Sequence, residues 1–259
     1  MTHLDPTTPS PLHPEPPSDA YPQTAVVLGA RNLGAALTTD LLARGTRVAT
    51  IARTQSDLDA LRRHGAVTIA ADATDPDALT AALDQASAQI GRPQLIVNAL
   101  APPRPQNTRG AFGGGPIASA TLAGLADWTL PLAQLALVFL SVAARSLGGH
   151  TTTLVQITGA PARRTSAERG LVSAGMTAIR AFTHAAAQEL RPSGIHVALL
   201  IVDGPIESPK TATIAKNLPR EALVRHEDVA HAVRFLATQS PRGMTHELVI
   251  TPAGGLWVP

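Results

Sequence analysis

The chain has 259 residues, 44% apolar and 15% charged, with a net charge of +2 and no cysteine. That length suits one α/β domain with a sizeable core, and the scattered charges, with no Lys/Arg run, argue against nucleic acid or an anionic membrane as partner. The lack of cysteine excludes disulfides, thiolate nucleophiles and zinc–thiolate sites.

Seven of the first 22 residues are proline. Each proline removes a backbone donor and biases its neighbour towards extended structure. Met1 to about Tyr21 is therefore expected to be a mobile tail, with residues 1–22 set apart from one domain spanning 23–259. No charged-then-apolar leader pattern opens the chain, and no apolar run approaches the roughly 20 residues that span a bilayer. A cytoplasmic location is the expectation. Aromatic residues make up only 3%, so the core must be aliphatic.

After the tail, "TAVVLGA" reads as a short buried strand, and "NLGAALTTDLLARG" as a helix with Leu33, Leu37, Leu41 and Leu42 on one stripe, stopped by Gly45. "RVATIA" is a second strand, and "SDLDALRRHG" a helix opened by Ser56 as N-cap and closed by Gly65. "AVTIAAD" and "DPDALTAALDQASAQIG" repeat the pair, with Pro76 near the helix start and Gly91 at its end; "QLIVNALA" is the fourth strand. Pro102 to Ala120, rich in proline and glycine, is a loop carrying Arg104, Asn107 and Arg109. A helix from about Trp128 to Leu147 leads to the strand "TTLVQIT", then to the helix within "ERGLVSAGMTAIRAFTHAAAQEL" and the strand "HVALLIV". An irregular stretch "DGPIESPKTATIAKNLP", a helix from about His226 to Thr238 and the strand "HELVITPAG" finish the chain. Strand and helix alternate as in βαβ units. The pattern predicts a single doubly wound Rossmann-like domain: a seven-stranded, mainly parallel sheet, helices on both faces, ligand at the carboxyl ends of the strands.

The first strand-to-helix turn runs Gly29, Ala30, Arg31, Asn32, Leu33, Gly34. Glycines there let the backbone approach a pyrophosphate, and the helix N-terminus offers free N–H groups. At the end of the second strand, where an acidic residue would grip the ribose hydroxyls of NAD, the chain has Arg53 with Thr54 and Ser56. Arg31 and Arg53 suit a 2′-phosphate in forked geometry, so NADP(H) is the expected cofactor. The nine histidines have no metal-ligand spacing; His226 and His231 suit a helix surface.

The order of these motifs, from about Thr24 to the C-terminus, resembles the short-chain dehydrogenase/reductases. By that resemblance "ADATD" carries the adenine contact, at Asp72 and Ala73, and "VNALA" keeps Asn98 of the family's Asn-Asn-Ala-Gly. "DGPIESP" is similar to the Pro-Gly segment beside the nicotinamide, with Asp203 replacing the proline and Gly204 and Ile206 expected against the cofactor. The resemblance also implies a small-molecule substrate and a homodimer or homotetramer, since the small faces of the 168–190 helix suit the family's subunit contact.

Three features depart from the family. The glycine turn is one residue short, and its middle glycine is missing. Aligned on "AQEL", the catalytic Tyr becomes Val172 and the Lys becomes Met176; the Ser falls at Gly159 beside Thr158, and the Asn at Gln134. The only tyrosine is Tyr21 and the only lysines are Lys210 and Lys216, so no shift of register restores Tyr-x-x-x-Lys. Third, the 102–120 loop and Arg163, Arg164, Glu168 and Arg169 form the rim of the site. Thr158, Arg163, Glu168 and Asp203 are then the candidate catalytic groups, the carboxylates stabilising a cation. Three functions fit: an NADPH-dependent reductase of an iminium or conjugated C=C, a non-redox isomerase, cyclase or lyase, and an NADP-binding subunit without catalysis.

Overall fold

The computed structural model describes residues 21–101, 113–147 and 150–255, with backbone alone at 210, 213 and 214. The expected tail up to residue 20, and Arg104, Asn107 and Arg109, lie outside the described residues. In chain order the elements are β1 (Thr24–Leu28), α1 (Leu33–Ala43), β2 (Arg47–Ala52), α2 (Gln55–Arg63), β3 (Val67–Ala70), α3 (Pro76–Ile90) and β4 (Leu95–Asn98). Then come α4 (Leu122–Trp128), α5 (Leu130–Leu147), β5 (Thr152–Gly159), α6 (Gly170–Leu190), β6 (Ile195–Val202), α7 (Ala212–Ala215), α8 (His226–Ala237) and β7 (Glu247–Ile250). Short 3₁₀ turns punctuate the second half.

The seven strands form one sheet in the order β3-β2-β1-β4-β5-β6-β7, and every pairing is parallel. The crossover between β1 and β4 creates the switch point at which such sheets bind ligands. One face carries Val26, Ile51, Ile96 and Leu154 under α3 and α5, and the other carries Val27, Val48, Val97 and Leu200 under α1 and α8. Side chains alternate between the faces because the strand period is two; both are apolar because both are covered.

Local chemistry sets most of the boundaries. Asp75 caps α3, its carboxylate accepting from Asp77 N and Ala78 N at 2.9 and 2.8 Å, with Pro76 in the first turn and Gly91 at the end with φ +86°. Two expectations shift. α2 starts at Gln55, with Thr54 rather than Ser56 at the N-cap and no side-chain cap. The helix expected from about Trp128 to Leu147 is α5, starting at Leu130, and a short helix that was not expected, α4, precedes it, the two meeting at Thr129. Pro131 explains the break, since it has no N–H to continue a helical ladder; Thr129 instead donates its hydroxyl to Leu171 O at 2.7 Å.

Tyr21, placed by its composition in the expected tail, packs on the domain. Tyr21 and Pro22 are buried: the Arg44 guanidinium lies 5.5 Å from the Tyr21 ring centroid, and Thr46 donates to Pro22 O at 2.8 Å. A ring that finds an apolar seat and a cation above it overrides its proline-rich neighbourhood. α5 has the length and apolar composition of a membrane span, yet Phe139, Leu140, Val142 and Ala143 of α5 lie in the core.

At the other end of the sheet two histidines tie β6 to β7. His196 Nε2 bonds Thr245 O and His246 Nδ1 bonds Val197 O, both at 2.9 Å, with the rings edge to face at 5.6 Å. Burial pulls the His196 pKa below its ordinary value; the Thr245 carbonyl opposes this, and His246 adds to the fall. The unfolded chain, titrating at about 6.5, therefore binds more protons than the folded one once the pH drops below that value. Stability contributed above 6.5 is lost as the pH falls towards the folded pKa. Urea unfolding should show a lower midpoint at pH 5 than at pH 7.5, and His196→Gln, which keeps a donor for Thr245, should flatten that slope. The depressed carboxyls of Asp72 and Asp228 act only at more acidic pH.

Candidate active site

The turn after β1 shows why its residues stand where they do. Gly29 has φ +111°, a conformation that strains any side chain, and its N–H donates to Ile51 O at 2.9 Å. A Cβ on Gly34 would stand 2.2 Å from the Gly29 carbonyl oxygen, so α1 can pack this closely only with glycine. Asn32 is the N-cap of α1 at φ +45° and ψ −111°, a backbone conformation that glycine adopts more readily than any side-chain-bearing residue. No side chain caps α1. The Gly34 N–H donates to Arg31 O at 3.0 Å; the helix start follows β1 at the β1/β4 switch point, where a helix N-terminus attracts an anion, and Leu33 anchors the helix on the core.

Arg31 and Arg53 flank this helix start, the candidate anion cradle. Arg31 Nε lies 3.6 Å from Asp57, and Arg53 Nη1 lies 3.8 Å from Asp72. Both pairs are long and exposed, a type worth little energetically, so both guanidiniums are available to a stronger anion. The Asp72 carboxyl is held below its ordinary pKa first by the Thr74 N–H, then by the Thr74 hydroxyl and the Arg53 charge. Ala73 is buried in the core beside Ile69 and Leu79.

On the α6 side of the sheet, a row of polar groups runs along the carboxyl ends of the strands. Asn98 Nδ2 donates to Gln156 Oε1 at 2.9 Å, and Asn98 Oδ1 accepts from Leu100 N at 3.2 Å. Both ends of the Asn98 amide are thus engaged within the protein, and its role is to brace β4 against β5. Thr158 is buried, and among the described residues its hydroxyl has no partner. A buried hydroxyl left unbonded costs free energy and asks for a ligand or a water.

Asp203 follows β6 with its side chain 4% exposed, and Arg164 Nη2 donates to its Oδ1 at 2.6 Å. The expected role of Asp203 as a free carboxylate for a cation is therefore corrected: Arg164 already neutralises it. The partner came from the loop after β5, 39 residues away in sequence, and Arg164 was not among the expected catalytic groups. The signal was an acid in the place of a proline at the end of a buried strand, which requires a counter-cation. Gln156 was likewise missed; it stands opposite Asn98 in the β4/β5 register.

The other expected groups lie outside this row. Arg163 turns to Glu247, 4.0 Å away; Arg180 also holds that carboxylate, at 2.7 and 3.2 Å, as does His184 at 2.9 Å. Glu168 is exposed, with φ +66°. Gln134 is exposed on α5. Gly204 is required by close packing, since a Cβ there would fall 2.8 Å from the Pro252 ring. Ile206 forms a parallel bridge to Val224, and its carbonyl accepts from the Thr211 hydroxyl. Val172 and Met176, on α6, belong to an apolar cluster with Trp128, Leu132 and Ile201. The Val172 N–H donates to Gly113 O at 3.4 Å, so the glycine segment lies directly on Val172. Among the described residues no His/Cys/Asp/Glu group could hold a metal.

Comparison with known proteins agrees with this architecture. Residues 27–255 match the family model described as enoyl-(acyl carrier protein) reductase. No curated protein matches the chain. Among solved structures it is similar to an NADPH-bound short-chain oxidoreductase of Pseudomonas aeruginosa PAO1 described as containing an atypical catalytic center, at 22% identity and TM-score 0.71 over 91% of this chain and 96% of that one. A blue fluorescent protein from a metagenomic library, in complex with NADPH, is 24% identical with TM-score 0.68, over 90% and 98% of the two chains. A short-chain dehydrogenase/reductase of Mycobacterium ulcerans is 22% identical with TM-score 0.73, over 88% and 87%. With the family model spanning residues 27–255 and the sheet in Rossmann order, the protein belongs to the short-chain dehydrogenase/reductases.

Proposed function

We propose that the protein is an NADPH-dependent reductase of a conjugated C=C bond in a small organic substrate, working without the tyrosine acid and lysine of its family. The observation that carries this is the Arg164–Asp203 pair at 2.6 Å, next along the α6 side of the sheet from the unpartnered Thr158 hydroxyl. A ketone reduced to an alkoxide must be protonated in place, and Val172 and Met176 offer no proton. An iminium would find the Asp203 carboxylate already engaged by Arg164. A conjugated carbonyl instead develops an enolate oxygen, which a fixed guanidinium and a hydroxyl stabilise electrostatically.

The residues of the cradle fit a dinucleotide. The uncapped α1 N-terminus and the Gly29–Gly34 turn would hold its pyrophosphate, Arg31 and Arg53 its 2′-phosphate, and the Asp72 carboxylate its adenine. Bound NADPH would supply hydride chemistry, and reduction at the β-carbon would place the developing negative charge on the carbonyl oxygen. Arg164 and Thr158 hold that oxygen, and the α-carbon then takes a proton from water. NADPH bound in the two solved relatives supports this choice of cofactor.

Calorimetric titration tests it. NADPH should bind well ahead of NADH, and Arg53→Glu should weaken NADPH by about 10- to 100-fold, the equivalent of one or two charge-assisted hydrogen bonds. Equal binding of both cofactors, or indifference to Arg53→Glu, would remove the phosphate assignment. Self-association through the exposed faces of α5 and α6 is part of the same proposal.

A catalytically silent NADP-binding subunit is the second reading. It is favoured by the packing of Gly113 on Val172, and NADPH binding without turnover of any enone would select it.

A further inference from the structure

Beside the polar row lies a second opening. Pro116 and Ile117 on one side, and Thr165 to Glu168 with Gly170 on the other, enclose a cleft of about 620 Å³, a size that holds a small organic molecule. Its walls are largely apolar. Ile117 is 75% exposed, an isoleucine left for a ligand to cover, and the Thr165 hydroxyl is engaged by Ser173 at 2.9 Å. Among the described residues Glu168 is the one ionisable group lining the cleft.

Three facts about Glu168 point the same way. Among the described residues its carboxylate forms no ion pair and accepts no hydrogen bond. The nearest arginines with assigned partners are turned elsewhere, Arg164 to Asp203 and Arg163 to Glu247. Its backbone lies in the left-handed region at φ +66°, which glycine or asparagine would adopt at less cost. A strained carboxylate on an apolar wall, unpaired among the described residues, is placed to meet a ligand, and strain of this kind gathers at ligand sites.

We propose that the cleft binds an amine with an apolar body, its ammonium against Glu168 and its carbon frame along Pro116 and Ile117. The substrate of the proposed reductase would then carry a basic nitrogen away from its conjugated bond. This rests on the 113–117 and 165–170 segments forming the entrance to that site.

The test is calorimetric titration of the full chain with 1,2,3,4-tetrahydroisoquinoline, cationic at pH 7, and with isochroman, the neutral ether of the same shape, each with and without saturating NADPH. The amine should bind about two- to fivefold more tightly than the ether, the worth of one exposed ion pair. Glu168→Gln should erase that preference and leave isochroman binding as it was. Glu168→Gly should also erase it while keeping or raising Tm, because glycine relieves the backbone; a merely structural role for Glu168 would not separate the two readouts. Equal binding of amine and ether, or a preference that survives Glu168→Gln, overturns the proposal. An intact amine preference with no NADPH oxidation on a panel of amino-enones supports the amine site and removes the reductase instead.

Discussion

Replacing Arg164 by methionine should both destabilise the protein and remove most of its turnover of enones. The Asp203 side chain is 4% exposed, so its carboxylate would be left buried without a partner. Breaking a buried pair in this way costs about 3–5 kcal/mol. The Arg164 side chain is 33% exposed, so water can reach the vacated place, and about 2–3 kcal/mol is the expected loss in urea unfolding. The double variant Arg164→Met, Asp203→Leu should recover most of it, because removing both charges removes the desolvation penalty with the attraction. A double-mutant cycle therefore measures the coupling. Catalysis should not recover in the double variant. Losing one donor to a developing oxyanion lowers kcat by about 10²- to 10³-fold, and NADPH affinity should be unchanged in both variants, since the cradle lies on the other side of the switch point. Full activity in Arg164→Met would leave the guanidinium a purely structural role.

Val172→Tyr with Met176→Lys should not create a ketone reductase, although it writes the family's pair back into α6. A Cβ on Gly113 would stand 3.0 Å from Val172 Cγ1, and one on Gly114 would stand 2.7 Å from Leu171 Cδ1. The segment after the proline-rich loop occupies the room a phenol ring would need. Forcing the ring in is overpacking, which costs about 1–3 kcal/mol. The Met176 sulfur lies 3.8 Å from where a Cβ on Gly159 would stand, so the new ammonium would reach the polar row, where Asp203 is already engaged by Arg164. Thermal unfolding should show a lower Tm, and a ketone panel should show no NADPH oxidation. A gain of ketone reduction would mean that the glycine segment yields to the ring, and that the pair is missing without the site having been rebuilt around its absence.

Most of the scaffold was legible residue by residue. The runs "TAVVL" and "RVATIA" and the capped helix at Asp75 and Pro76 depend on neighbours within a few positions, where the strand period of two and the helix period of 3.6 operate. The glycine turn was legible for the same reason, except that Asn32 takes backbone angles that glycine adopts more readily, which no letter code displays. Tyr21 was misjudged because its seat on Arg44 comes from α1, beyond the reach of local composition.

The order of amino acids by itself determined the alternation of strand and helix, the uncapped turn at Gly29–Gly34, the basic residues flanking it, and the absence of cysteine and of any tyrosine beyond Tyr21. Only the tertiary structure decided that Asp203 is neutralised by Arg164 rather than free, that Asn98 is engaged by Gln156, and that Arg163 belongs to Glu247 while Glu168 faces a separate cleft. These pairings join residues 39, 58, 84 and more positions apart. Parallel register sets Asn98 beside Gln156, while the docking of the 160–164 turn against the end of β6 and the start of β7 decides which acid meets Arg163 and which meets Arg164.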